Sequence, residues 1–472
     1  MLVISSIVLT ANKWFSEELW PEGYSFFSNV KNQLSSGKNK DTDTFSPNEE
    51  VLKPAKIIIN NLSSHTLYTK SSIKYESICK EITNILDKAI VSDIKEVVDS
   101  NEWNSHLKGK SCYFSYPVMY DATYFASQLS KKYSGNIKYF REFIVSNDNR
   151  IPSVMYVYIK DAESKKLEKV KIDFESDEIN SLIDSANLET TDINYFSFEL
   201  NFDNGSADGV KNHVIIDHDV LININEKKAN MLSEKNRFYN IETNHNLYSD
   251  ILSLFEYNTS TIRKYVESDN SMVFVENYGT LKLHSNGLLD YKSIDKNSGI
   301  ELDTSSVNAC LNSCITFVNN ITSLMNNDKS MYYEISSDIH DIQSKSFTLT
   351  FDYYINDKKI IIPHERYNKN NAITVVVENG KITSYNQVFV SYIPTADEIS
   401  CGSAIDAIDK LDIPDNSNTQ NITDIFVAYK YNMQKNLWMP LWYIEDSSGN
   451  ISTISSLAGG MLWAGKILKP FL

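Results

Sequence analysis

The chain has 472 residues and a formal net charge of −16, from 45 Lys and Arg against 61 Asp and Glu. That length suits roughly two to four folded domains, and its 42% hydrophobic and 12% aromatic content excludes a disordered protein. No basic stripe accompanies the negative charge, which excludes a nucleic-acid partner and sets the body off from anionic lipid.

Residues 1–11 (MLVISSIVLTA) are an apolar run that stops at Asn12-Lys13-Trp14-Phe15. A bilayer span takes about 20 apolar residues, so this run is about half of one. Lys13 suits the headgroup level, and Trp14, Phe15 and Trp20 suit an aromatic belt. The expectation is a partial transmembrane anchor over 1–15, the outer half of a longer helix, with Met1 an internal methionine. The body is inferred to stand on the extracytoplasmic side. Ile4, Ile7, Val8, Trp14, Phe15 and Trp20 are then candidate membrane or partner contacts. Residues 16–50, rich in Ser, Asn, Asp and Lys, read as a linker.

An N-terminal α+β domain is expected over 51–172. KIIINNLS (56–63) reads as a strand. Ile78, Ile82, Ile85 and Leu86 recur at helical spacing, and further helical patterns cover 94–107 and 122–129. YFREFIVS (139–146) and PSVMYVYIKD (152–161) alternate like paired strands.

The middle region, 173–300, opens with a short helix at 178–186. NYFSFELNFD (194–203) and NHVIIDHDVLINI (212–224) read as strands, and 247–255 as a helix. Three strands follow in 272–294, with turns at Asn277-Tyr278-Gly279 and Asn286-Gly287; the second is the strongest hairpin signal.

The last region, 301–456, begins with a stripe of Val307, Leu311, Cys314, Ile315, Val318, Ile321 and Leu324, a buried helix face. Strands are expected at 332–339, 346–356, 372–393 (a hairpin at Asn379-Gly380), 421–432 and 436–446, with a short helix at 404–411. The order of helix then antiparallel strands occurs twice in 173–446. The fold class is therefore α+β, with two similar domains of antiparallel sheet and helices on one face. The apolar tail, 457–472, is expected to dock on its own domain.

Candidate chemistry is sparse. The sequence has no P-loop, GxSxG elbow or HExxH. On a strand, His213, Asp217 and Asp219 share one face and His218 takes the other. One His and two carboxylates suit a metal or a proton relay, but the solvated face of an edge strand is the expected reading. His340-Asp341 is a weaker pair at a strand end. The five cysteines do not form a disulfide framework. Cys310 and Cys314, four apart, supply half of a zinc site with no matching pair, and are expected to be small members of the buried stripe. Trp438 and Trp442 share a strand face; core packing against the 404–411 helix is the expectation and a partner surface the alternative. No cofactor or metal is expected.

The stretch 251–291 resembles the YycH domain, with a Phe-centred helix end, a strand, G-x-L, a turn and L-x-Y. Leu254-Phe255, Arg263, Tyr278-Gly279-Thr280-Leu281, Gly287 and Tyr291 fill those places. The final part is similar to the YycI-type domain through Ala404, Leu411, Ile422, Ile425, Tyr429, Pro440, Trp442 and Ile444. The resemblance to the YycH/YycI family covers most of the chain. It implies an extracytoplasmic regulator on one transmembrane helix. Such a protein contacts the sensor histidine kinase YycG (WalK), sets the activity of a cell-wall two-component system, and joins a second YycH/YycI-type protein. A non-catalytic regulatory protein is the leading expectation, and an extracytoplasmic sensor of cell-wall fragments the alternative.

Overall fold

The computed structural model describes residues 49–455, except 63, 93–94, 100, 148–153, 174–176, 187–191, 201–213, 240, 259–261, 326–330, 340–341, 343 and 412–419. The anchor and tail expectations, with Ile4, Ile7, Val8, Trp14, Phe15 and Trp20, lie outside the described residues. Among the described residues, no helix is long and apolar enough to cross a membrane. The fold is α+β.

The first sheet has seven strands: β1 (Lys56–Asn61), β2 (Ser64–Tyr68), β3 (Lys95–Val98), β4 (Lys110–Asp121), β5 (Tyr139–Asn147), β6 (Val154–Asp161) and β7 (Leu167–Asp173). Their order is β2-β1-β4-β5-β6-β7-β3, antiparallel throughout. Helix α1 (Tyr75–Val91) lays Ile78, Ile82, Ile85 and Leu86 on one face, against Ile57, Phe114, Phe143 and Val157. Helix α2 (Asn101–Lys108) covers the other face with Trp103 and Leu107, against Ile58, Tyr113, Ile144 and Tyr158. The helix expected over 94–107 is thus a strand followed by a shorter helix. β-branched Val97 and Val98 join the ladder beside β7 before the helix begins. Helices α3 (Ala122–Gln128) and α4 (Asp177–Ala186) agree with expectation; Asp121 caps α3 by accepting from Thr123 N and Tyr124 N.

The expected strand over 212–224 is two short strands with a turn between them. Of β8 (Asn194–Phe196), β9 (Val214–Ile216) and β10 (Leu221–Asn223), β8 and β10 form a separate ribbon. β9 instead joins a 16-stranded sheet.

That sheet continues with β11 (Lys227–Asn236), β12 (Arg263–Val266), β13 (Met272–Glu276), β14 (Gly279–Leu283) and β15 (Leu288–Ser293). It also takes in β16 (Ile300–Glu301), β17 (Met331–Ile335), β18 (Phe347–Ile355), β19 (Lys358–Ile361) and β20 (Ile373–Glu378). The last strands are β21 (Lys381–Val388), β22 (Val390–Gly402), β23 (Gln420–Asn432), β24 (Leu437–Asp446) and β25 (Ile451–Ile454). β15 pairs with β21, so segments on either side of residue 300 share one ladder. Helices α5 (His245–Leu254) and α6 (Val307–Ser323) meet where Phe255 and Phe317 pack edge to face at 5.3 Å, with Tyr291 5.1 Å and Tyr385 5.7 Å from Phe255. A four-residue helix α7 (His364–Tyr367) and α8 (Ala404–Asp409) complete the set. Asn379 and Gly380 both take positive φ (52° and 77°), giving the tight turn that joins β20 to β21. Asn286-Gly287 closes a longer loop, in which Gly287 N donates to His284 O.

Candidate functional site

Most residues behind the family resemblance form packing clusters, whereas Arg263 is exposed. Phe255, Leu281 and Tyr291 are fully buried, and the Tyr278 hydroxyl donates to Glu256 O at 2.7 Å. Ala404, Leu411, Ile422, Ile425, Trp442 and Ile444 belong to one apolar cluster beneath α8. The shared pattern is therefore one of core geometry.

Trp438 and Trp442 are 0% and 4% exposed, which corrects the alternative of a partner surface. Trp438 packs edge to face on Tyr392 and donates to Glu234 at 3.2 Å. Trp442 donates to Cys401 O at 2.8 Å and packs with Ala404 and Ile408. They share a strand yet serve different clusters. Cys310 and Cys314 are buried free thiols on α6, and burial pushes Cys310 up to about 11. Among the described residues no group of three His, Cys, Asp or Glu is spaced to hold a metal. His213, His340 and Asp341 lie outside the described residues.

Asp217, His218 and Asp219 sit at the β9–β10 turn, so strand alternation does not order them. They line a cleft of about 850 Å³ between the α2 face of the first sheet and the body of the second. Trp103 Nε1 donates to Asp219 at 3.0 Å, and the Lys160 ammonium also binds Asp219. Lys160 lies 3.7 Å from Glu142, its ladder partner between β5 and β6, and 5.0 Å above the Trp103 ring. Burial, then the Asp219 charge, raises Glu142 above the ordinary carboxylate range. Burial works against the Lys160 ammonium, but Asp219 and Glu142 outweigh it and raise its affinity for the proton. Asn104 hydrogen-bonds the His218 ring at 3.0 Å, and Asn421 donates to Asp217 at 2.9 Å. A second seam pair joins Lys56 to Asp424 at 3.3 Å.

A strap bounds this cleft. Asp121 N donates to Ile339 O at 2.7 Å, Ile339 N to Met119 O at 2.9 Å, and Met119 N to Asp338 at 2.9 Å. A second cleft of about 700 Å³ is lined by Tyr120, Tyr332 and Glu334 among others. There Lys70 lies 3.3 Å from Glu334 and 5.3 Å over the Tyr332 ring. Buried polar links flank it: Tyr124 donates to Asn312, and Asn312 donates to Gln128, both at 3.0 Å.

Sequence reading placed Asp217, His218 and Asp219 together but missed Trp103, Arg141, Glu142 and Lys160. The available signal was the charged pair Arg141-Glu142 breaking an apolar strand; linking it to Lys160 needs the β5–β6 register.

No family model matches the sequence, and no curated protein matches it. The crystal structure of YycH from Bacillus subtilis superposes with a TM-score of 0.56 at 14% identity, covering 89% of this chain and 100% of that one. An uncharacterized protein from Eubacterium rectale covers 52% of this chain and 85% of its own at a TM-score of 0.33 and 11% identity, too low to carry an argument. Over nearly its whole length, this chain has the fold of YycH.

Proposed function

We propose that this chain is a membrane-anchored extracytoplasmic regulator that modulates a sensor histidine kinase of the YycG (WalK) type by protein–protein contact, without catalysis. The observation that carries this reading is the fold correspondence with the whole of YycH. The buried positions of Phe255, Leu281, Tyr291 and Trp442 support it, because the sequence resemblance falls on the residues that build that fold. The apolar run at 1–11 supports contact through the membrane helix. The body then biases the kinase between two states, a coupling set by differential contact with each. Exchanging residues 1–15 for an unrelated membrane helix tests this. Co-purification with the kinase should fall and kinase output should change; retention of both would refute the reading.

A second reading, a sensor of cell-wall fragments, is favoured by the cleft of about 850 Å³, where aromatic and charged groups converge. The two are compatible, since a ligand there would act on the same body that touches the kinase.

A further inference from the structure

The two walls of the larger cleft carry opposite charge. The wall from the second body presents Asp217, Asp219, Asp338, Asp424 and Glu445, with no Lys or Arg among the described residues. The wall from the first sheet presents Lys56, Arg141, Lys160 and Lys165, with Glu142 and Asp161 as its acids. Asp161 is already committed to its own turn. It accepts from Ser164 N at 2.6 Å, Ser164 Oγ at 2.7 Å, Lys138 N at 3.2 Å and Tyr139 N at 3.4 Å. Glu142 faces its ladder partner Lys160 at 3.7 Å. With four basic groups against two acids, the first wall carries a net positive charge.

Two ion pairs, Lys160–Asp219 and Lys56–Asp424, tie the walls together. Other charges stay available. Arg141 gives only its Nε, to Tyr116 O at 3.1 Å, so its two terminal nitrogens are uncommitted among the described residues. Lys165 makes no ion pair among the described residues. Opposite, Asp217 and Asp338 each use one carboxylate oxygen, on Asn421 and on Met119 N respectively. The Trp103 and Tyr113 side chains line the space between the walls.

We infer that this cleft binds a short zwitterionic peptide, its carboxylate towards Arg141 and Lys165 and its amine towards Asp217 and Asp338. A ligand with one charge leaves one wall's groups desolvated and unpaired, which costs more than it returns. Arg supplies a fork suited to a terminal carboxylate, and the volume matches a ligand larger than a single amino acid. The inference rests on the cleft geometry and not on the kinase reading. If correct, it gives the second reading its ligand class.

The test is a thermal-shift titration of the full chain in detergent with three pools of mixed tetrapeptides: unblocked, N-acetylated and C-amidated. The unblocked pool should raise the Tm, and each blocked pool should bind at least ~10-fold more weakly, as expected for loss of one charge-assisted contact. Arg141→Gln, with Lys165→Gln as a second variant on the same wall, should reduce the preference for a free carboxylate. Asp217→Asn should reduce the preference for a free amine. Arg141→Gln also removes the bond from Nε to Tyr116 O, whereas Lys165→Gln and Asp217→Asn remove no hydrogen bond to the backbone, and the unliganded Tm checks folding of all three. No shift with the unblocked pool, equal shifts with all three, or undiminished discrimination in the folded variants would overturn the inference. Kinase output is not read, so failure here leaves the kinase reading standing, and the reverse.

Discussion

Lys160→Met would leave two carboxylates facing each other across the seam between the first sheet and the 218–219 turn. The ammonium binds Asp219 and lies 3.7 Å from Glu142, and all three side chains are 19–24% exposed. At an effective dielectric of about 20, a unit-charge pair ~4 Å apart interacts by about 4 kcal/mol. Breaking a fully buried pair costs about 3–5 kcal/mol, and partial exposure brings the expected loss here to about 2 kcal/mol near pH 8. The loss should shrink on acidification. Glu142 already has a raised proton affinity in the folded state, and removing the ammonium raises it further. Between its unfolded and folded pKa the native state then holds more protons than the unfolded state, so stability falls as pH rises through that window. Urea unfolding of the wild type and the variant at about pH 5 and about pH 8 reads this directly. Glu142→Gln should act in the opposite direction, stabilising at the higher pH. An equal loss for Lys160→Met at both pH values, or no loss at either, would refute the assigned role.

Other substitutions test the packing. Trp442→Ala should cost about 3–5 kcal/mol in urea unfolding, because the ring is 4% exposed and its N–H is bonded to Cys401 O. Gly299 has φ +137°, and a Cβ there would meet Ile382 O at 2.5 Å, so Gly299→Ala should cost about 1–3 kcal/mol and lower the Tm. His106 is pushed down to about 4, first by burial and then by Lys169. A depressed histidine contributes stability above its unfolded value of 6.5 that is lost as pH falls towards 4, and His106→Gln should flatten stability across that window.

Helices α1 and α6 were readable because each buries a single stripe, so apolar residues repeat every three or four positions. The Asn379-Gly380 turn was readable because that dipeptide tolerates positive φ at both positions. Strand β4 left no such mark. It is buried on both faces over most of its length and bends around Pro117, where the β5 register shifts between Ser115 and Tyr120, so alternation is lost. Strands β7 (LEKVKID) and β11 (KKANMLSEKN) escaped notice because their charges suggest solvent, although their neighbours bury Val170 and Leu232 completely. The cleft was hidden for a different reason. Trp103, Glu142, Lys160 and Asp219 lie far apart in the chain, and only sheet register and the docking of the β9–β10 turn bring them together. The tryptophans at 438 and 442 were conspicuous in the sequence, but their large apolar area is used inside the protein.

The most direct test of the regulatory account is co-purification of the chain with a YycG-type sensor kinase from membranes, with the native 1–15 segment and with an unrelated membrane helix in its place. Kinase autophosphorylation is measured in the same preparations. The account predicts capture with the native segment, and loss of capture with altered phosphorylation after the exchange. Equal capture and equal phosphorylation in both would contradict it.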